Sequence, residues 1–207
     1  DLDGGQSLVI DTLVDAPRTH AMLKAYADAE QAAQQVDVIV NTHHNGDHCN
    51  GNCCCPDATI MAHRLTAEHM QQEPPALVQG FLDAAPELGE FGKYITSCFG
   101  PFDYKSVMEQ RLPDTLFDED TTIKVGDKEV QFLYVGPAHT PGDTLVYVPA
   151  DKVDRFAANY ERKRDKTLRL IDDPETSKYL SAPSFPSGGG GLVSTTADYA
   201  RFCEMLR

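Results

Sequence analysis

Tryptophan is absent from this chain, and no apolar run approaches the length that a bilayer crossing needs. No stretch reads as a transmembrane helix, so no membrane partner is expected. Basic residues are scarce: eighteen Lys and Arg stand against thirty-two Asp and Glu, for a formal net charge of −14. A surface of that sign repels phosphate backbones and suits divalent cations, so no nucleic-acid partner is expected. The opening residues Asp1-Leu2-Asp3-Gly4-Gly5 lack the basic and apolar regions of a secretion signal. Cysteine pairs at zinc-finger or disulfide-framework spacing are missing too. The six cysteines are Cys49, Cys53, Cys54, Cys55, Cys98 and Cys203, three of them consecutive. Reduced thiols in a cytoplasmic protein are the expectation. Soft-metal ligation by Cys49 and Cys53 to Cys55 is the less favoured reading.

What is present points to a soluble globular fold. The chain has 207 residues, 41% hydrophobic and 24% charged, enough for a sizeable core without disulfides. Ser7 to Asp15 reads as a strand built on Leu8-Val9-Ile10, and Pro17 opens a helical pattern running to about Ala33. Val36 to Val40 is a β-branched run of the buried-strand type. Asp57 to Ala62 predicts a strand and Leu65 to Gln72 a helix. The stretch Pro74 to Pro113 is poorly legible, with one helix expected near Ala76 to Ala84. Thr121 to Val125 and Glu129 to Val135 flank Gly126-Asp127-Lys128 as a β-hairpin, and Thr144 to Val148 is strand-like. Mixed strands and helices of this kind predict an α/β layered fold.

Chemistry concentrates in His43-His44-Asn45-Gly46-Asp47-His48, a polar loop closing a buried strand. Imidazole nitrogen and carboxylate oxygen are the donors that a borderline cation such as Zn²⁺ accepts. Gly46 and Gly51 are expected to let the backbone turn tightly enough to aim several side chains at one point. A second loop, Gly136-Pro137-Ala138-His139-Thr140-Pro141-Gly142-Asp143, places one histidine between two turns. From there it can close a coordination sphere begun by the first loop. His44 is expected to face away from the site, as second shell or toward solvent, if the loop is extended. His20 falls on a solvent-facing helix position.

Residues Leu8 to about Val153 resemble the metallo-β-lactamase superfamily of hydrolases. The resemblance rests on Ile10-Asp11-Thr12 for an Asp after an apolar strand. It rests further on His43-His44-Asn45-Gly46-Asp47-His48 for His-x-His-x-Asp-His, and on Ala138-His139-Thr140-Pro141-Gly142 for the isolated histidine. It implies an αββα sandwich carrying one or two zinc ions, with His43, Asp47, His48 and His139 as metal ligands. Asp47 would also orient the attacking water and shuttle its proton. Asp11, His44 and Asn45 would be weak ligands or lie in the second shell. Substrates would be small molecules with an ester, lactone, thioester or β-lactam carbonyl.

Departures from the family pattern are equally specific. Asn45 stands where the family has a histidine, and a neutral amide oxygen binds metal more weakly than imidazole. The family's opening strands are largely missing ahead of Leu8. After Val153 neither the metal-bridging Asp nor the final His follows. The fold is therefore expected to be truncated at both ends, with residues 1–153 as the metal-binding domain and 154–207 as an appendage. Cys49, His63, His69 or Asp151, or a second copy of the chain in a homo-oligomer, could repair the sphere, but each of these residues reads first as an ordinary surface or core residue. Pro183 to Tyr199 resembles an internal stretch of serine β-lactamase-like esterases, without that family's Ser-x-x-Lys nucleophile. Thr195 and Asp198 there have helix-capping spacing. The expected function is a zinc-dependent hydrolase. A metal-binding or interaction protein without turnover is the alternative, and a serine-type esterase comes third.

Overall fold

Leu8, Val9 and Ile10 form a short strand, β1, in which Val9 is buried and Ile10 half-exposed, the alternation of a sheet edge. The computed structural model describes residues 5–149, 159–163 and 167–172. The strand is shorter than the expected Ser7 to Asp15 because Asp11 turns the chain at φ +58. Asp15 then caps helix α1 (Ala16–Ala29), its side chain accepting the Arg18 N–H at 3.0 Å. The helix stops at Ala29 rather than Ala33. Glu30 is extended and its N–H returns to the Tyr26 carbonyl, and a 3-10 turn over Gln31–Gln34 follows.

Strand β2 (Val38–Asn41) lies parallel to β1, and β3 (Thr59–His63) lies parallel to β2. Between them the chain forms a one-turn helix α2 (Gly46–Cys49) and a 3-10 turn over Asn50–Cys54, not an extended loop. Helices α3 (Arg64–Gln72), α4 (Pro75–Ala84) and α5 (Gly89–Phe99) carry the crossover to β4 (Thr115–Phe117), which completes a four-stranded parallel sheet in the order β1-β2-β3-β4. Of these, α5 and β4 were not legible in the sequence. A second, antiparallel sheet holds β5 (Thr121–Val125), β6 (Lys128–Tyr134) and β7 (Thr144–Tyr147), with the expected hairpin turning at Gly126, φ +60. A separate antiparallel pair, β8 (Asn159–Arg162) and β9 (Leu168–Asp172), falls within the stretch assigned to the appendage.

Two cores follow from strand alternation. Val40, Met61 and Phe117 of the parallel sheet meet Val125, Val130 and Phe132 of the antiparallel sheet. On the opposite face Val9, Ile39 and Ile60 pack with Met22 and Leu23 of α1. Ile39, Ile60 and Phe132 are wholly buried, each stabilising the fold by about 1.5–3 kcal/mol. The architecture is mixed α/β with two facing sheets and α1 outside the first, as a truncated sandwich requires. The capping pair Thr195 and Asp198 and the Pro183 to Tyr199 resemblance lie outside the described residues. Among the described residues no helix is long and apolar enough to cross a membrane.

Candidate metal centre

The carboxyl ends of β1 and β2 open side by side, and there the chain builds its site. Asp11 follows β1. Its Oδ1 accepts the Thr42 N–H at 2.7 Å, and its Oδ2 accepts the Thr42 hydroxyl at 2.7 Å and the His48 Nδ1–H at 3.0 Å. Because the Thr42 proton goes to Asp11, the Thr42 oxygen is left to accept from His43 Nδ1, 2.9 Å away. Both imidazoles thus carry their proton on Nδ1 and keep the Nε2 lone pair free, as metal binding requires. Burial pushes the His43 imidazole below its ordinary value, and the neighbouring His48 ring adds to that shift. Neutral imidazole is the ligating form.

Beneath the rings a buried amide network fixes the turn. Asn52 Nδ2 donates to Asn41 Oδ1 at 2.8 Å, Asn41 Nδ2 returns to Asn52 Oδ1 at 3.1 Å, and Thr12 donates to the same oxygen at 3.1 Å. The Thr12 N–H reaches the His48 carbonyl at 2.8 Å. Neither Gly46 nor Gly51 has positive φ, so backbone freedom is not their role here. A side chain on Gly51 would meet Thr19 Oγ1 at 2.1 Å, so this glycine permits close approach to α1.

The second loop arrives from the antiparallel sheet. Asp143 holds it, accepting the Thr140 N–H at 2.8 Å and the Thr140 hydroxyl at 2.6 Å. The Thr144 N–H donates to the Thr42 carbonyl at 2.9 Å, tying this loop to the first. Gly142 seats it on α3, since a Cβ there would lie 2.3 Å from Thr66 Oγ1. His139 consequently faces the first loop: Asn45 Nδ2 donates to His139 Nε2 at 2.9 Å. The His43 ring lies 5.1 Å from the His139 ring and 4.2 Å from the His48 ring, centroid to centroid.

Asp11, His43 and His48 bring one donor atom each within 4.8 Å of one another. Asp47 is exposed at the rim, its Oδ2 3.5 Å from His48 Nε2. His44 turns away from this group. It is buried rather than solvent-facing, because the segment coils into α2 and packs the ring against His69, at 5.0 Å, and Glu73, at 3.7 Å. His63 is engaged elsewhere: its Nδ1 accepts the Leu65 N–H that opens α3, and its Nε2–H donates to the Asp118 carbonyl. Cys49 is buried, its thiol donating to the His44 and Asn45 carbonyls, and burial raises its pKa. His69 faces His44 instead of the centre, and Asp151 lies outside the described residues. His20 is exposed, as expected.

Sequence reasoning did not find Thr42, although its place between Asn41 and His43 made it the natural relay. It also missed Tyr104, whose buried hydroxyl is pushed up in pKa by burial and then by the Asp47 and Asp15 charges. That residue comes from the illegible middle of the chain.

A paired-sheet fold with an imidazole cluster at the strand ends defines a class of metal-centre proteins, and comparison gives the family. Residues 2–154 match the family model described as Metallo-beta-lactamase superfamily. The chain belongs to that superfamily. It is 43% identical to Protein Rv1367c of Mycobacterium tuberculosis over 72 residues, which are 35% of this chain and 17% of that protein. Among solved structures it is similar to a metallo-beta-lactamase from Pontibacter korlensis, 21% identical with TM-score 0.46 over 72% of this chain and 52% of that one. It is also similar to the metallo-beta-lactamase IND-7, 10% identical with TM-score 0.48 over the same shares. The chain spans about half of those two structures and about a sixth of the curated relative.

Proposed function

We propose that this chain is the metal-binding part of a hydrolase that uses a divalent cation, zinc by the chemistry of its donors, to cleave a small-molecule ester, lactone, thioester or β-lactam. The observation that carries this reading is the meeting of two sequence-distant loops, with Asn45 and His139 in contact at 2.9 Å beside His43 and His48. The donors fit such a cation. His43 and His48 offer Nε2, His139 offers a ring nitrogen once its Nε2 is released from the Asn45 amide, and Asp47 offers a carboxylate at the open rim. Asp11 lies among them, but both its oxygens already accept hydrogen bonds. It is the orienting carboxylate behind His48 and, through Thr42, behind His43. A bound cation there would supply a water of lowered pKa and polarise a carbonyl oxygen.

The residues of the chain have separate tasks. Asp47, exposed and beside His48, is placed to accept the proton of an attacking water. Asp11 and Thr42 keep two imidazoles in one tautomer. Asn45 fills the position of a third imidazole with an amide, which favours one tightly held cation over two. The catalytically silent metal-binding reading draws on that same residue. The stretch 154–207 is proposed as an appendage without its own nucleophile. Elemental analysis of purified protein, with hydrolysis of nitrocefin and nitrophenyl esters before and after chelation, tests the assignment. Chelator-sensitive turnover restored by Zn²⁺ supports the hydrolase, and bound metal without turnover supports the silent binder. Turnover indifferent to chelation and blocked by a serine-directed inhibitor removes both.

A further inference from the structure

The metal centre leaves one histidine of the first loop without a task. The His44 side chain is more than nine-tenths buried, yet neither nitrogen of its ring has a hydrogen-bond partner among the described residues. Nδ1 is enclosed and unpartnered, and Nε2 stands 3.7 Å from Glu73 Oε1, beyond hydrogen-bond reach. Buried polar groups are ordinarily paired, so a ring left like this marks a partner that the chain itself does not supply. His69 packs beside it, with 5.0 Å between the ring centroids. His69 and Glu73 stand one turn apart at the end of α3, the Glu73 N–H donating to the His69 carbonyl at 3.1 Å. That end of a helix carries the negative pole, which favours a cation and opposes a bare carboxylate.

We propose that His44, His69 and Glu73 form a second site for a divalent transition cation of the zinc class, separate from the centre at His43, His48 and His139. Two imidazoles that share a tetrahedral cation at about 2.0–2.1 Å have ring centres about 5 Å apart, and a nitrogen and an oxygen on it stand about 3.3 Å apart. The observed 5.0 and 3.7 Å are close to both. Two imidazoles and one carboxylate are a donor set that zinc accepts, with a fourth position left for water. The three donors do not yet fall within the mutual 4.8 Å that Asp11, His43 and His48 satisfy. Glu73 closes the gap, since its side chain is 57% exposed and has room to turn. Neighbours in sequence, His43 and His44 thus serve different sites.

The test is a zinc titration of the intact chain after chelation, read by competition with a chromophoric chelator and by the ring nitrogen resonances of isotope-labelled histidine. A zinc equivalent beyond the main centre is expected, and it should shift the His44 and His69 ring nitrogens together. His69→Ala and Glu73→Gln should each weaken that equivalent by about tenfold or more, since losing a ligand costs no less than losing its outer partner. His20→Ala, at an exposed helix position, should leave it unchanged. So should His139→Ala, which lets failure of the main centre and failure of this site be read apart. Ring nitrogens of His44 and His69 unmoved in excess zinc, or stoichiometry and affinity unaltered in both variants, would overturn the proposal and leave water as the partner of His44. Glu73 is exposed, so Glu73→Gln keeps the test decisive if His69→Ala fails to fold.

Discussion

Asp11 shows how much of the site rests on single side chains. A non-glycine residue at φ +58 costs free energy that its surroundings must offset, and the offset here is three accepted hydrogen bonds. Asp11→Asn keeps a residue that tolerates this backbone but turns one acceptor into a donor facing Thr42 or His48. Zinc affinity should fall about 10- to 100-fold, measured by competition with a chromophoric chelator, with the fold retained by circular dichroism. Asn45→His adds the imidazole that the first loop lacks. Zinc retained after dialysis should rise above that of the parent, and an unchanged ratio would show that Asn45 does not limit the metal count. Asp15 belongs to stability rather than chemistry. Burial raises its pKa, but the Asp103 N–H and the Arg18 N–H and guanidinium outweigh burial and leave it below 3.8. A depressed carboxylate stabilises the fold above its unfolded pKa, and that stability is lost as pH falls through the folded value. Asp15→Ala should therefore cost about 2–3 kcal/mol near neutral pH in urea unfolding, with the difference from the parent shrinking below about pH 3.8.

At the scale of elements, glycines and caps decide how the loops meet. Gly142 allows the His139 loop to touch α3, where an added Cβ would lie 2.5 Å from the Thr66 backbone nitrogen. Backbone cannot yield as a flexible side chain can. Gly142→Ala should lower Tm by several degrees and weaken zinc binding together, whereas Gly80→Ala, with open space around it, should do neither. The β5–β6 hairpin was legible because a Gly-Asp turn separates two strand-like runs, and the β2 strand because a run of β-branched residues states it locally. The helix α5 and the strand β4 were not. α5 exposes Phe91 and Tyr94, which blurs its apolar stripe, and β4 has three residues whose strand character comes from pairing with β3. The coil of α2 was hidden for a similar reason. Gly-Asp-His-Cys has weak helix propensity, and its hydrogen bonds to Thr12 and Asn41 come from distant sequence.

For the whole molecule, the two loops that carry chemistry were visible as donor-rich stretches, but their meeting depends on the sandwich. His43 leaves the parallel sheet and His139 the antiparallel one, and the core of Val40, Met61, Phe117, Val125, Val130 and Phe132 sets their separation. Loosening that core should loosen the metal. Phe132→Ala, which empties a fully buried position, should cost about 3–5 kcal/mol and lower zinc affinity although the residue lies outside the imidazole cluster. The most direct measurement is a zinc titration of the intact chain beside His139→Ala, an exposed residue whose loss should leave Tm unchanged in chelator. If both loops grip one cation, affinity drops at least tenfold in the variant while folding is intact. Equal affinity in the two proteins would mean that His139 holds no metal, and the shared centre would have to be abandoned.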